Sequence, residues 1–248
     1  MCGIVGAAAQ RNVAEILLEG LRRLEYRGYD SAGLAVIEKN AENDISTAIR
    51  KEIGKVVNLE ESLEQEPTKG HVGVAHTRWA THGKPTKNNA HPHRSSNITL
   101  VHNGIIENHQ LLRESLIKKG YCFLSDTDTE VVVHLIEEFS QQVKTLKEAV
   151  QLSVAECEGA YALGVISDKE PDILIAARKG SPLVIGVGIE ENFIASDQLA
   201  LRQVTDQFIY LEEGDIAEIS SSNIAITDKE GNVVERKKVK LTGNEQSA

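Results

Sequence analysis

The sequence contains little cysteine, and its cysteines are not arranged in pairs. Three occur among 248 residues, namely Cys2, Cys122 and Cys157. None of them shows CxxC spacing, and an odd, scattered set does not form a disulfide framework. We therefore expect a reducing compartment, and we interpret Cys122 and Cys157 as small core residues.

Long apolar runs and blocks of like charge are also missing. No stretch of apolar residues is long enough to predict a transmembrane helix, and the first residues lack the basic and apolar regions of a secretory signal. The net charge of -10 is spread along the chain. This argues against nucleic acid or a membrane as the main partner, and it favours a cytoplasmic protein.

Apolar periodicity predicts a first strand followed by a helix. Residues 3–9 form a short apolar run that is typical of a buried strand. We expect the helix to be capped by Asn12, with Glu15 completing a capping box. Residues 38–67 are weakly patterned and are interpreted as a hairpin or loop plus a short helix, whereas 78–97 show no periodicity. Further strands are predicted at 32–37, 72–76 and 98–102.

The middle of the chain predicts helices and the rest predicts strands. The first of three predicted helices spans about 109–119, and the second begins near Asp128. The third begins at Thr145, with Glu148 as the capping-box partner. The later strands are predicted at 160–166, 172–177, 183–187, 192–195, 208–211, 215–219 and 224–227. Several are apolar on both faces, which suits sheets that are covered on each side. The expected fold is α+β, an αββα sandwich of two stacked, mostly antiparallel sheets with helices outside.

Cys2 is the most informative residue of the chain. If Met1 is removed, Cys2 carries both a thiol and an α-amine, and such an amine titrates at about pH 8, so part of it is unprotonated at neutral pH. An N-terminal amine that activates its own nucleophile is a known catalytic solution. The alternative is an ordinary small residue that precedes an apolar strand.

Polar residues near the ends of two predicted strands are further candidates. Arg78 can hold a carboxylate through two parallel hydrogen bonds, or it is a solvated or structural arginine. Asn103 and Gly104 place a side-chain amide beside a backbone N–H, which can form an oxyanion hole. The same dipeptide is also typical of a type I′ hairpin turn.

Three further positions have simple structural interpretations. Asp128 is by default the N-cap of its helix. The pair His91 and His93 lacks cysteine partners and HExxH spacing, so no metal site is predicted. His134 lies beside an apolar helical face and is interpreted as a core histidine.

Together these residues resemble the class II glutamine amidotransferases, whose glutaminase domains use an N-terminal cysteine. The matching segments are 2–6, 24–33, 76–83, 89–93, 102–108, 127–130, 180–183 and 195–197. Within the family the chain is similar to the glutamine–fructose-6-phosphate aminotransferases. The purine-pathway amidophosphoribosyltransferases typically lack the Trp-Ala-Thr-His sequence that follows Arg78 here.

The resemblance implies a fold and a reaction. The family fold is the N-terminal-nucleophile hydrolase sandwich, which agrees with the αββα expectation. The implied reaction is hydrolysis of L-glutamine to glutamate and ammonia without a cofactor. Cys2 is implied to be the nucleophile, with its α-amine as base, and Asn103 and Gly104 are implied to stabilise the oxyanion.

The resemblance also implies how glutamine is bound. Arg78 would pair with the substrate α-carboxylate and Asp128 with its α-ammonium group. Thr81 and His82 are implied to help close the pocket. Trp79 is implied to lie toward the ammonia path, and Arg27 to have a positional role near the nucleophile.

Residues 2–240 are expected to form the glutaminase domain and 241–248 a loose tail. By resemblance, the acceptor fructose 6-phosphate binds a separate isomerase domain that is missing from this chain, so we expect glutamine hydrolysis without aminosugar synthesis. By the same resemblance, that domain carries the main dimer contact, so the full-length enzymes are expected to be homodimers. For this chain a monomer is an open alternative.

Three alternative functions remain open. The chain could be the glutaminase domain of another class II amidotransferase, or a different N-terminal-nucleophile amidohydrolase such as an acylase. It could also be a catalytically silent module that binds glutamine.

Overall fold

The chain alternates a few helices with many short strands. The computed structural model describes residues 2–40, 42–79 and 84–241; Thr81, His82 and nearly all of the predicted tail lie outside these residues. The helices are α1 (Ala14–Leu24), α2 (Val56–Gln65), α3 (His109–Lys118), α4 (Asp128–Ser140) and α5 (Leu146–Glu156). The strands are β1 (Gly3–Ala9), β2 (Ser31–Lys39), β3 (Ile45–Ile53), β4 (Val72–Arg78), β5 (His93–Ser95), β6 (Ile98–Ile106), β7 (Gly159–Ser167), β8 (Glu170–Lys179), β9 (Val184–Val187), β10 (Glu191–Ala195), β11 (Gln207–Tyr210), β12 (Ile216–Ile219), β13 (Ile224–Thr227), β14 (Val233–Val234) and β15 (Lys238–Lys240).

The strands form two antiparallel sheets. The first sheet has the strand order β15-β11-β9-β10-β1-β4-β2-β3, and the second has the order β14-β13-β12-β8-β7-β6-β5. Strands β1 and β4 therefore lie at the centre of the first sheet. They pair antiparallel, with Gly3 opposite Thr77.

Strand β1 shows why these sequences are apolar on both faces. Successive side chains of a strand point to opposite faces of the sheet. Val5 and Ala7 pack in the cluster that lies under α1 and α2, whereas Ile4 and Ala8 pack in the cluster between the two sheets. Both faces of this strand are covered, which confirms the interpretation of the continuous apolar run.

The helices cover the outer faces of the sheets. Helices α1 and α2 pack on the first sheet. Helices α4 and α5 pack on the second, where Val131 and Val150 join Leu100 and Val165 in a third apolar cluster. The αββα arrangement expected from the sequence is therefore confirmed. None of the helices in the described ranges has the length and apolar character needed to cross a membrane.

One helix start was predicted wrongly and another correctly. Helix α1 is preceded by Val13 and not by an Asn12–Glu15 capping box. Asn12 Oδ1 accepts hydrogen bonds from the Ala14 N–H at 3.4 Å and from the Gly70 N–H at 3.1 Å, so this side chain joins the start of α1 to the segment before β4. The capping box of Thr145 and Glu148 at α5 is confirmed.

Some short elements were not predicted. Residues 38–67 form the second strand of a hairpin and helix α2, as interpreted, but 78–97 contain the short strand β5. Strands β14 and β15 are two and three residues long, too short for a periodic pattern. Cys157 is buried as expected, whereas Cys122 is exposed, so its interpretation as a core residue was wrong.

Candidate active site

The candidate catalytic residues lie at one end of the sandwich. Cys2 immediately precedes β1, and Arg78 is the last residue of β4. Because Gly3 pairs with Thr77, the antiparallel register places Cys2 and Arg78 side by side at the same edge of the sheet. The sequence pattern alone did not predict this proximity.

The Cys2 thiol lies against the backbone of Trp79. The Trp79 N–H donates to Sγ at 3.3 Å, and Sγ lies 3.4 Å from the Trp79 carbonyl oxygen. Burial raises the pKa of the thiol, while the Trp79 N–H bond and the charge of Arg78 act in the opposite direction. At neutral pH the thiol is therefore protonated, and it needs a base to become a nucleophile.

Asn103 and Gly104 belong to strand β6 of the facing sheet. They pair with Ala162 and Tyr161 of β7, so the hairpin-turn alternative was wrong. The Asn103 Nδ2 donates to the backbone carbonyl of Cys2 at 3.0 Å, which joins the two sheets.

Gly104 has a backbone conformation that excludes a side chain. Its φ is +130°, and a Cβ at this position would lie 2.0 Å from the Ala160 carbonyl oxygen. The peptide therefore departs from regular strand geometry directly after Asn103. Only glycine fits here without a shift of the backbone.

Asp128 is the first residue of α4 and not its cap. The N-cap is Thr127, whose side chain accepts a hydrogen bond from the Glu130 N–H, so the default interpretation of Asp128 was wrong. Asp128 is 6% exposed. Its Oδ2 accepts from the Ile106 N–H at 2.9 Å, and Oδ1 makes no hydrogen bond within the described ranges.

Arg78 is buried, which rules out a solvated arginine. Its side chain is 4% exposed, and Nη1 lies 3.4 Å from Oδ1 of Asp30. A buried guanidinium needs an anionic partner, because an uncompensated charge in the interior is costly. Sequence reasoning missed Asp30 as this partner, although it lies in the matched segment 24–33.

Arg27 and Trp79 belong to the rim of the site. Arg27 forms an ion pair with Asp197, so the segment before β2 is joined to the segment after β10. Gly28 packs against the indole of Trp79, where a Cβ would lie 2.2 Å from Cε3. Sequence reasoning did not identify Asp197 as the partner of Arg27.

A cavity of about 360 Å³ connects these residues. It brings together seven candidates, namely Cys2, Arg27, Arg78, Trp79, Asn103, Gly104 and Asp128. Ser181, Pro182 and Ser196 also line it and had no predicted role, although they lie in segments that carry the resemblance. The cavity has the size of a small-molecule site.

Four neutral histidines are packed beside the cavity. His76, His91, His93 and His102 are each at most 6% exposed, and burial lowers the pKa of each imidazole, that of His76 to about 3. Thr129 Oγ1 lies within hydrogen-bond distance of both His91 Nε2 and His102 Nδ1. Among the described residues, no group of three or more histidine, cysteine or acidic side chains could hold a metal ion.

The same architecture occurs in solved amidotransferases. The glutamine phosphoribosylpyrophosphate amidotransferase of B. subtilis superposes with a TM-score of 0.79 at 26% identity, covering 94% of this chain and 50% of that one. A glutamine aminotransferase class-II domain protein from Silicibacter pomeroyi has a TM-score of 0.62 at 15% identity, which supports the fold alone. The fold is thus the N-terminal-nucleophile sandwich of these enzymes.

Sequence comparison gives the family. The family description "Glutamine amidotransferase domain" matches residues 63–239, and the chain belongs to this class II family. It is 57% identical over its whole length to a glutamine–fructose-6-phosphate aminotransferase [isomerizing] of Pseudomonas putida. It is 59% identical over 239 residues to that of Escherichia coli K12. The chain spans about 40% of the length of these curated relatives and matches their amidotransferase half.

The buried histidines predict a loss of stability in mild acid. In the unfolded chain a histidine titrates at about pH 6.5, whereas in the folded chain these four titrate lower. Unfolding below this pH therefore takes up protons, so stability is retained above about pH 6.5 and is lost as the pH falls toward the folded pKa values. Near pH 5.5 the free energy of unfolding, measured by urea denaturation, should decrease by up to about 1.4 kcal/mol per pH unit for each of these histidines.

A matched pair of variants isolates this effect. His93→Gln removes one buried histidine. Between pH 6.5 and 5, the free energy of unfolding of this variant should therefore fall less steeply with decreasing pH than that of the wild type, by the contribution of one histidine. His71→Gln, which makes the same substitution at an exposed histidine, is the control for the substitution itself. Equal slopes for the wild type and His93→Gln would contradict the prediction.

Proposed function

We propose that this chain hydrolyses L-glutamine to glutamate and ammonia, with Cys2 as the nucleophile once Met1 has been removed. The observation that supports it is one cavity bordered by a thiol, an amide donor, a buried guanidinium and a buried carboxylate. Residues 2–240 form the proposed glutaminase unit.

The proposed chemistry begins with proton transfer from Cys2 to its own α-amine. Because burial raises the pKa of the thiol, its deprotonation is coupled to attack on the side-chain amide carbon of glutamine. The Asn103 amide and the Gly104 N–H then stabilise the tetrahedral oxyanion. The protonated amine delivers its proton to the departing ammonia, and water hydrolyses the thioester that remains.

The proposed specificity depends on two opposite charges. Arg78 pairs with the α-carboxylate of glutamine, sharing its guanidinium with Asp30. Asp128 pairs with the α-ammonium group through Oδ1. Thr81 and His82 are proposed to help close the pocket over the substrate, Trp79 to lie toward the ammonia path, and Arg27 to support the rim through Asp197.

The relatives' names suggest what the ammonia is used for. They are aminotransferases of glutamine and fructose 6-phosphate, and this chain corresponds to their amidotransferase half. We propose that the ammonia aminates fructose 6-phosphate on an isomerase domain, which would correspond to the part of these relatives outside the matched region. The glutaminase unit is proposed to act in the cytoplasm, within a homodimer when joined to that domain.

The first test is covalent labelling with 6-diazo-5-oxo-norleucine, an electrophile that mimics glutamine. Intact mass spectrometry should show chain without Met1 carrying one adduct on Cys2, and glutamine should block the labelling. Cys2→Ala should take no adduct, while Cys122→Ser, which alters an exposed thiol far along the chain, should label normally. Glutamine binding without an adduct, in chain free of Met1, would favour the silent module.

The charge pairing is tested by two conservative variants. Arg78→Lys keeps a charge for Asp30 but loses the planar fork, and Asp128→Asn keeps an acceptor for the Ile106 N–H. Each should reduce kcat/KM for glutamine by about 30-fold or more, since a lost desolvated charge partner costs about 2–5 kcal/mol.

A substrate analogue separates a direct contact from a structural effect. Wild-type chain should prefer glutamine to 5-amino-5-oxopentanoate, which lacks the α-ammonium group. Asp128→Asn should lose most of this preference, because the substitution weakens the contact to the ammonium group, which glutamine makes and the analogue does not. An unchanged preference would show that Asp128 does not bind the ammonium group.

A further inference from the structure

We propose that His76 is a positioning residue that orients the Asn103 amide toward the reacting centre. This inference rests on the proposed function of Asn103 as an oxyanion donor. His76 lies on β4 of the first sheet and Asn103 on β6 of the second. The imidazole therefore spans the gap between the sheet that carries Cys2 and the sheet that carries the amide.

The hydrogen bonds determine the proton on this imidazole. His76 Nε2 lies 3.0 Å from the backbone carbonyl oxygen of His102 and 2.9 Å from Asn103 Oδ1. A carbonyl oxygen only accepts, so Nε2 carries the hydrogen. Nδ1 of His76 is buried and has no partner in the described ranges, which agrees with one neutral tautomer.

The same proton determines which way the Asn103 amide faces. An asparagine amide can turn by 180° and exchange its oxygen and nitrogen, and its hydrogen-bond partners decide between the two orientations. Since Nε2 donates, the atom of Asn103 that faces His76 must be the oxygen. Nδ2 then points toward Cys2 and donates to its carbonyl at 3.0 Å, and its second hydrogen makes no bond to any described residue.

The reversed amide would oppose catalysis. It would place Oδ1 beside the Cys2 carbonyl, where two acceptors face each other, and it would present no N–H to a developing oxyanion. Loss of the His76 donor also leaves Oδ1 of this half-buried side chain without its imidazole partner, which favours rotation of the amide. His76 and the Cys2 carbonyl thus hold the amide from both sides.

His76 itself is rigidly placed. It pairs with Ile4 of β1 and Gly33 of β2, and it is 1% exposed. Its ring packs on that of His91, with centroids 4.0 Å apart. Burial keeps the imidazole neutral at physiological pH, so its N–H donor does not depend on pH in the working range.

The test compares two replacements of His76 in glutamine hydrolysis. His76→Leu removes the donor, and it should lower kcat by about 10- to 100-fold, up to the loss expected when an oxyanion donor is removed, with KM within about 2-fold. His76→Gln can return an N–H to the same place and should recover most of kcat. His134→Leu is the control, because His134 is a buried histidine that contacts Ser95 and not Asn103, and it should keep wild-type kcat.

A double-mutant cycle distinguishes positioning from general damage. If His76 acts through Asn103, the double variant His76→Leu/Asn103→Ala should be no slower than Asn103→Ala alone. Affinity for glutamate γ-semialdehyde, which forms a tetrahedral adduct with the thiol, should fall in His76→Leu, while affinity for glutamate should not change.

Each outcome has a separate meaning. The role of His76 alone would be overturned if the decreases in kcat of the two single variants multiplied in the double variant. It would also be overturned by a His76→Gln variant that folds but is as slow as His76→Leu. Wild-type kcat in Asn103→Ala would overturn the oxyanion role of Asn103 and with it the inference. A wild-type chain free of Met1 that neither hydrolyses glutamine nor takes an adduct would overturn the proposed function itself.

Discussion

The candidate site depends on how closely the two sheets approach each other. Cys2 precedes a strand of one sheet and Asn103 belongs to the other, yet a single hydrogen bond of 3.0 Å joins them. Small residues between the sheets permit this distance. A Cβ on Gly6 of the first sheet would lie 3.2 Å from Leu174 of the second, and one on Gly164 of the second sheet would lie 3.0 Å from Ile194 of the first. The geometry of the nucleophile and its amide donor is thus determined by the core of the sandwich and not by a local loop.

Opposite charges at the site come from separate elements, and each already has one partner in the protein. Arg78 on β4 pairs with Asp30, and Asp128 on α4 accepts from a backbone N–H. A free amino acid carries both a carboxylate, which can pair with Arg78, and an ammonium group, which can pair with Asp128. It therefore adds no net charge to a buried cavity. An amide substrate without both groups would leave one of these sites without its partner. This argues for a free amino acid and against an acylase.

Residue patterns predicted the layers better than the contacts within the site. The alternation in β1 and the apolar faces of α1 and α4 follow from local periodicity, so the αββα arrangement was predictable. The roles of Asn103 and Asp128 were ambiguous, because a turn dipeptide and a strand dipeptide have the same letters and a first-turn aspartate resembles an N-cap. Tertiary pairing decided both cases. Asp30 and Asp197 could not be assigned as arginine partners, since each pair joins residues far apart in sequence.

The buried imidazoles narrow the choice of base for Cys2. Burial keeps His76 neutral, and its Nε2–H is directed at two carbonyl-type oxygens and not at the thiol. His102 Nδ1 lies 3.0 Å from Thr129 Oγ1, and within the described residues the Cys2 thiol is hydrogen-bonded to the Trp79 backbone and to no histidine. A thiol whose pKa is raised by burial then needs a base from elsewhere, and the α-amine of Cys2 is attached to the same residue. In the proposed mechanism the histidines therefore shape the site, the amine is proposed to perform the proton transfer, and removal of Met1 is the step that would free this amine.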